Sequence, residues 1–145
     1  MSTARELGAT WVASDDALTA EVDILVSAAL GGLLTARTVP SLRCAALRSA
    51  AVAGPANNQL DRPETAALLA ARGILWAPDV VVSAGGVIHA LGVELHQESE
   101  ARMTERIDAI AATLRQIVRT ARTAGTTPAT AARQLAEQWT NQGNG

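Results

Sequence analysis

Apolar residues fall in short runs, each bounded by polar residues or glycine. Asp23-Ile24-Leu25-Val26-Ser27 is a continuous apolar run, and such a run predicts a strand buried on both faces, as in parallel sheets. Ile74-Leu75-Trp76-Ala77 reads the same way, Ala50–Ala53 more weakly, and Thr10–Ala13 is a further short candidate. Helical stretches lie between them. Ala4–Ala9 reads as a last helical turn with Gly8 just past its end. Ser14-Asp15-Asp16 caps a brief helix to about Glu21, and Thr35–Leu42 is a short helix that Pro40 opens or breaks. Residues 43–49 form an Ala/Arg linker. Arg62-Pro63-Glu64 starts a helix with apolar Leu68 and Leu69, and Gly73 stops it. Pro78-Asp79 turns the chain into Val80–Val82, which leads to a strand-to-helix turn at Ser83–Gly86.

The clearest pattern is a single stripe, Met103, Ile107, Ile110, Leu114, Ile117 and Ala121, at alternating spacings of four and three. It predicts a helix from about Ser99 to Ala124. Acids near its start and Arg119 and Arg122 near its end suit the helix dipole, and Gly125 stops it. Thr127-Pro128 restarts a final short helix to about Trp139, and residues 141–145 form a polar tail expected to fray. Strands alternating with helices give an α/β fold with a parallel sheet. Ligands bind at the carboxyl ends of such strands. The loops predicted there are Ala28–Gly32, Gly54–Asn58 and Ser83–Gly86.

Composition narrows the chemistry. At 145 residues the chain is one domain's worth, and 48% apolar content excludes wholesale disorder. There is no Phe or Tyr and only Trp11, Trp76 and Trp139, so small aliphatic residues must fill the core. A net charge of −2 argues against a nucleic-acid groove. The chain has no Lys, which excludes a Schiff base or an amine base from its own residues. One cysteine, Cys44, permits no internal disulfide and suits a reducing compartment. With no signal-like or membrane-length apolar run, the expected location is cytoplasmic, with no membrane partner. His89, His96 and Glu94, Glu98, Glu100 form a conceivable metal cluster, but a solvated loop and helix start is the simpler reading, so no metal is assigned.

Four segments in order, Asp23–Gly32, Ala53–Leu60 (Ala-Gly-Pro-Ala-Asn-Asn-Gln-Leu), Arg72–Asp79 and Ser83–Ile88 (Ser-Ala-Gly-Gly-Val-Ile), resemble the leucine/phenylalanine/valine branch of the glutamate dehydrogenase superfamily. The resemblance spans nearly the whole chain, including both C-terminal helices. It implies a partial Rossmann-type parallel sheet flanked by helices, with a long C-terminal helix and a final short one, forming a single domain over residues 1–145. It also implies NAD as cofactor and oxidative deamination of an aliphatic or aromatic L-amino acid. By motif match Ala29, Leu30 and Gly31 would lie against the cofactor, and Asn57 would hydrogen-bond near the nicotinamide ribose or carboxamide. The plainer reading of Asn57 and Asn58 is a capped βα turn. Ser83 and Gly85 would face the nicotinamide, and Ser83 and Ala90 the substrate.

There are departures from the pattern. The family carries Asn where this chain has Ser83, and one hydroxyl cannot reproduce both ends of an amide. Pro55 replaces a small residue, and a few extra residues lie around Ala45–Ser49. No segment matches the family's substrate domain with its catalytic lysines, nor the Gly-rich pyrophosphate loop and ribose-binding acid. The sequence is therefore expected to be the C-terminal part of a cofactor-binding domain. In a 3-2-1-4-5-6 sheet the strand at 23–27 then loses its neighbour and becomes an apolar edge. Either Thr10–Ala13 moves beside it or another chain covers it. The expected partner is a second copy or a separate catalytic chain. Three readings follow: one part of a split dehydrogenase, a non-catalytic remnant or interaction domain, and a standalone enzyme, which the missing lysines disfavour.

Overall fold

A computed structural model describes residue 4, residues 6–43 and residues 50–143. Three short strands form a parallel sheet in the order β1 (Ile24–Val26), β2 (Ala51–Ala53), β3 (Leu75–Trp76). Ile24 pairs with Ala51 and Val26 with Ala53, while Ala51 and Val52 pair with Leu75 and Trp76. Spatial order equals chain order, the arrangement expected for the fourth to sixth strands of a Rossmann-type sheet.

Helix α1 (Ser14–Ala17) precedes β1, and α2 (Thr65–Ala71) joins β2 to β3. After β3 come α3 (Asp79–Val82), α4 (Gly85–Ala90), a π-helical turn at Leu91–Leu95, the long α5 (Glu100–Ala124) and α6 (Pro128–Gly143). Helix α5 forms as its stripe predicts. Met103, Ile117 and Ala121 are buried, and the Ser99 hydroxyl accepts the Arg102 N–H at its start. Gly125 ends it in the left-handed region at φ 62°. Helix α6 opens with the Thr127 hydroxyl accepting the Thr130 N–H.

Two apolar clusters hold the layers. One side of the sheet packs Val52 and Trp76 against Leu34, Val39, Leu42 and Leu69. A second cluster joins Ile117 and Ala121 of α5 to Ala131 and Ala132 of α6. Apart from Trp76, both are built from aliphatic residues, as the near-absence of aromatic residues requires. Among the described residues no helix is long and apolar enough to cross a membrane.

Several expectations need correction. Thr10–Ala13 is not a strand; it is exposed and pairs with nothing, and it has not moved beside β1. Residues 14–23, which would have to carry it over, fall short of the dozen or more that a parallel crossover needs. β1, at the sheet edge, is buried on one face only: Leu25 packs against the core, whereas Ile24 and Val26 on the other face are 56% and 64% exposed because nothing described covers them. In place of a helix over Thr35–Leu42 there is a turn and a single 3₁₀ turn, Val39–Ser41, with Pro40 inside it. Val80–Val82 lies in α3, so Ser83–Gly86 joins two helices rather than a strand to a helix. The backbone closes a helical turn here: Pro78 C=O accepts the Val81 and Val82 N–H groups, and Asp79 C=O accepts the Ser83 N–H at 2.8 Å. Helix α6 runs past Trp139 to Gly143, taking in the start of the segment expected to fray. Cys44 and the Ala45–Ser49 insertion lie outside the described residues.

Candidate functional site

The loops that follow β1 and β2 are bonded into one unit. Ser27 N–H donates to Ala53 C=O at 2.8 Å, and Ala56 N–H donates to Ser27 C=O at 3.1 Å. Farther out, Gly32 N–H donates to Asn58 C=O at 2.7 Å, Leu34 N–H to Gln59 C=O at 2.9 Å, and Asp61 N–H to Leu34 C=O at 3.0 Å. These bonds lay the Ala28–Gly32 loop along Asn57–Asp61.

Two glycines make this approach possible. A Cβ on Gly31 would stand 2.6 Å from the Asn57 carbonyl oxygen and 2.8 Å from that of Asn58. A Cβ on Gly54, whose φ is 153°, would overlap the Ser27 backbone. Asn58 itself takes a positive φ of 52°, which Asn tolerates better than most residues. Gly31 is thus a cradle against the Asn57–Asn58 backbone, and Asn57 projects beside it.

The loops are fixed from below by Gln59, which is wholly buried. Its side-chain amide donates to Gly54 C=O at 2.8 Å and Ala56 C=O at 3.0 Å, and its amide oxygen accepts from the Trp76 indole at 3.2 Å. Its backbone N–H donates to the Asp79 carboxylate at 2.8 Å. A buried residue with every polar group engaged holds its surroundings firmly.

The predicted site residues divide into two groups. Ala29, Leu30, Gly31 and Asn57 come together at the carboxyl ends of β1 and β2, all solvent-exposed, with Leu30 86% exposed. The Asn57 side-chain amide makes no hydrogen bond to the described residues, so donor and acceptor both stand open. Ser83, Gly85 and Ala90 are carried by the α3–α4 segment, which the Asp79 carboxylate links to the first group by accepting the Gln59 N–H. The Ser83 hydroxyl donates to Asp79 C=O at 2.6 Å, within its own helical turn. Gly85 opens α4, where a Cβ would meet Ile107 of α5 at 3.8 Å. Ala90 is the last residue of α4.

Gln59 and Asp79 carry the site's rigidity, and the sequence did not single them out. The only local signal is a carboxylate placed directly after Pro78. Ser27 is a further residue the sequence did not single out: it is buried, and its hydroxyl has no partner among the described residues. Among those residues no three His, Cys, Asp or Glu side chains cluster to hold a metal ion.

Residues 2–141 match the family model described as glutamate/leucine/phenylalanine/valine dehydrogenase. The chain is 37% identical over 138 residues to an L-tryptophan dehydrogenase of Nostoc punctiforme, covering 94% of this chain and 37% of the relative. It is 43% identical over 129 residues to a valine dehydrogenase of Streptomyces coelicolor, covering 88% of this chain and 34% of the relative. The crystal structure of L-tryptophan dehydrogenase from Nostoc punctiforme superposes with a TM-score of 0.88 at 36% identity, covering 97% of this chain and 42% of that one. The chain thus spans well under half the length of the relatives it matches.

Proposed function

The chain belongs to the glutamate/leucine/phenylalanine/valine dehydrogenase family, and from that premise we propose that its residues form the nicotinamide-side wall of an NAD site in an amino-acid dehydrogenase. The observation that carries this reading is the cradle itself. Gly31 lies against the Asn57–Asn58 carbonyls with no room for a side chain, beside an exposed Asn57 amide that has no partner among the described residues. A primary carboxamide presents one acceptor and two donors, and Asn57 offers the complementary set. Ala29 and Leu30 supply apolar surface next to it. The residues present therefore suit the nicotinamide half of NAD, with Asn57, Ala29, Leu30 and Gly31 holding it. Held there, NAD would supply a hydride acceptor for the α-carbon hydrogen of an L-amino acid.

The chain's own part is to bind and orient. It contains no Lys, so an amine that binds the substrate carboxylate or activates water must come from other residues. We assign the substrate class as aliphatic or aromatic L-amino acids, in keeping with the tryptophan and valine dehydrogenases it resembles. Ser83 and Ala90 remain the proposed substrate-side residues, and a catalytic partner chain or a second copy is the proposed associate. The open, apolar edge of β1 supports an associate, since such edges attract pairing.

Titrating NADH while following tryptophan emission tests the reading. Saturable binding is expected, and no response at millimolar cofactor refutes it. Assays of L-leucine, L-valine and L-phenylalanine oxidation complete the test, with no turnover expected from these residues alone. Turnover by the isolated chain would overturn the assignment of amine chemistry to other residues.

A further inference from the structure

We propose that Gln59 and Asp79 are positioning residues that hold Asn57 and the Ala28–Gly32 loop in binding geometry, and that Trp76 reports on that geometry; as a role in cofactor binding this rests on the reading above. Asn57 is exposed and its side chain bonds to none of the described residues, so its position depends on the backbone that carries it. Two residues along, that backbone is pinned on every side. The Gln59 N–H enters the Asp79 carboxylate, its C=O takes the Leu34 N–H, and its side-chain amide ties Gly54 to Ala56. Asn58 in turn receives Gly32 of the neighbouring loop. One residue therefore joins the end of β2, the start of α3 and the loop after β1.

The Asp79 carboxylate holds both halves of this joint. One oxygen accepts the Gln59 N–H, and the other accepts the Val80 N–H that begins α3. The same α3 turn carries Ser83. Asp79 thus fixes the separation between the Asn57 loop and the segment bearing Ser83, Gly85 and Ala90. No other side chain among the described residues bonds to both loops. An active-site wall displaced by an ångström loses much of its effect, so a clamp of this kind bears on binding as well as on folding.

The geometry supplies its own probe. The Trp76 indole donates to the Gln59 amide oxygen and is buried, whereas Trp11 and Trp139 are 65% and 56% exposed. Replacing the exposed pair with Phe leaves Trp76 as the sole emitter. Its emission then depends on whether the Gln59 bond is kept.

The experiment compares Gln59→Leu, Asp79→Asn and Ser99→Ala in the whole chain by amide hydrogen exchange, Trp76 emission and NADH titration. Gln59→Leu removes the side-chain bonds at similar volume. Asp79→Asn leaves one good acceptor for two N–H groups. Ser99→Ala loosens α5 at a distance and serves as the purely structural control. For Gln59→Leu and Asp79→Asn, expected are exchange roughly tenfold faster in segments 28–32 and 54–60 with α5 and α6 unchanged, a shifted Trp76 emission for Gln59→Leu, and NADH affinity weaker by about tenfold; Ser99→Ala changes α5 alone. Acceleration spread evenly over the chain, as for a general loss of stability, overturns the proposal, and so does unaltered exchange in the two loops. If Gln59→Leu does not fold, Asp79→Asn decides alone. If the unmodified chain ignores NADH while the loops loosen locally, the positioning role stands and the cofactor reading falls.

Discussion

Gly54 lies so close to Ser27 that a single added methyl group would overlap the Ser27 backbone. The contact follows from parallel pairing. β1 and β2 end side by side, Ser27 N–H reaches Ala53 C=O, and the chain must then turn sharply across the sheet top. Gly54→Ala adds steric overlap to an unfavourable φ, each a penalty of about 1–3 kcal/mol. The expected loss is about 3 kcal/mol, read as a lowered denaturation midpoint. A loss below about 1 kcal/mol would mean that the loop has an alternative path.

The β1 edge should tolerate charge. Ile24 and Val26 are more than half exposed, so replacing both with Lys removes little buried area. Stability should change by roughly 0.5 kcal/mol or less. Self-association should fall instead, because charged edge residues oppose strand pairing. Sedimentation over a range of protein concentrations reads this directly. A monodisperse monomer for both chains would show that the open edge attracts nothing.

Much of this organisation was legible, and the exceptions share a cause. The α5 stripe, the Ser99 start and the Gly125 stop are local signals, and all appear where the sequence places them. The close approach at Gly31 was legible because two glycines directly after a strand signal it. Asp79 and Gln59 stand twenty residues apart, and their bond shows only once β2 and β3 are paired. The run Ile24–Val26 would look the same in the middle of a sheet as at its rim, so its exposure is a property of the neighbours. The three valines at 80–82 favour a strand, but the turn at Pro78, whose C=O accepts the Val81 and Val82 N–H groups, draws them into α3.

The Asp61 carboxylate gives the start of α2 a pH dependence. Its Oδ1 accepts the Thr65 hydroxyl at 2.6 Å. That bond holds its carboxyl below the ordinary carboxylate range; desolvation works the other way, and the Arg62 charge adds to the lowering. The folded value is the depressed one. The contribution to stability is therefore complete above the unfolded value and fades as pH falls through the folded one. Thr65→Val should return the Asp61 titration toward the ordinary range. A carboxyl carbon NMR titration checks this, and an unmoved midpoint would assign the lowering to Arg62.

Cap substitutions on α5 give a calibrated loss away from the candidate site. Ser99→Ala removes the acceptor for the Arg102 N–H and should cost about 1 kcal/mol. Gly125→Ala forces a side chain into the left-handed region and should cost a similar amount, about 1 kcal/mol. Neither residue bonds to the loops at 28–32 or 54–60. Both variants should therefore shift the thermal midpoint while leaving NADH affinity unchanged, and a change in affinity would tie α5 to the site.

Asn57 and Ser83 were both expected to touch the cofactor, and their side chains differ in what they already bond. The Ser83 hydroxyl is spent on Asp79 C=O inside its own helical turn, whereas the Asn57 amide is exposed. A donor already engaged has little to offer a ligand. Losing one hydrogen bond to a bound molecule weakens binding by about 0.5–1.5 kcal/mol, roughly two- to tenfold. Asn57→Ala should show that loss in an NADH titration, and Ser83→Ala should change affinity less than about twofold. Ser83→Asn tests the same point from the other side, since an amide there reaches beyond the helix and supplies a second donor and acceptor. Tighter NADH binding by Ser83→Asn, with Ser83→Ala neutral, would place this position at the edge of the cofactor site with its hydroxyl turned away. Equal losses for Asn57→Ala and Ser83→Ala would contradict the distinction drawn from their bonding.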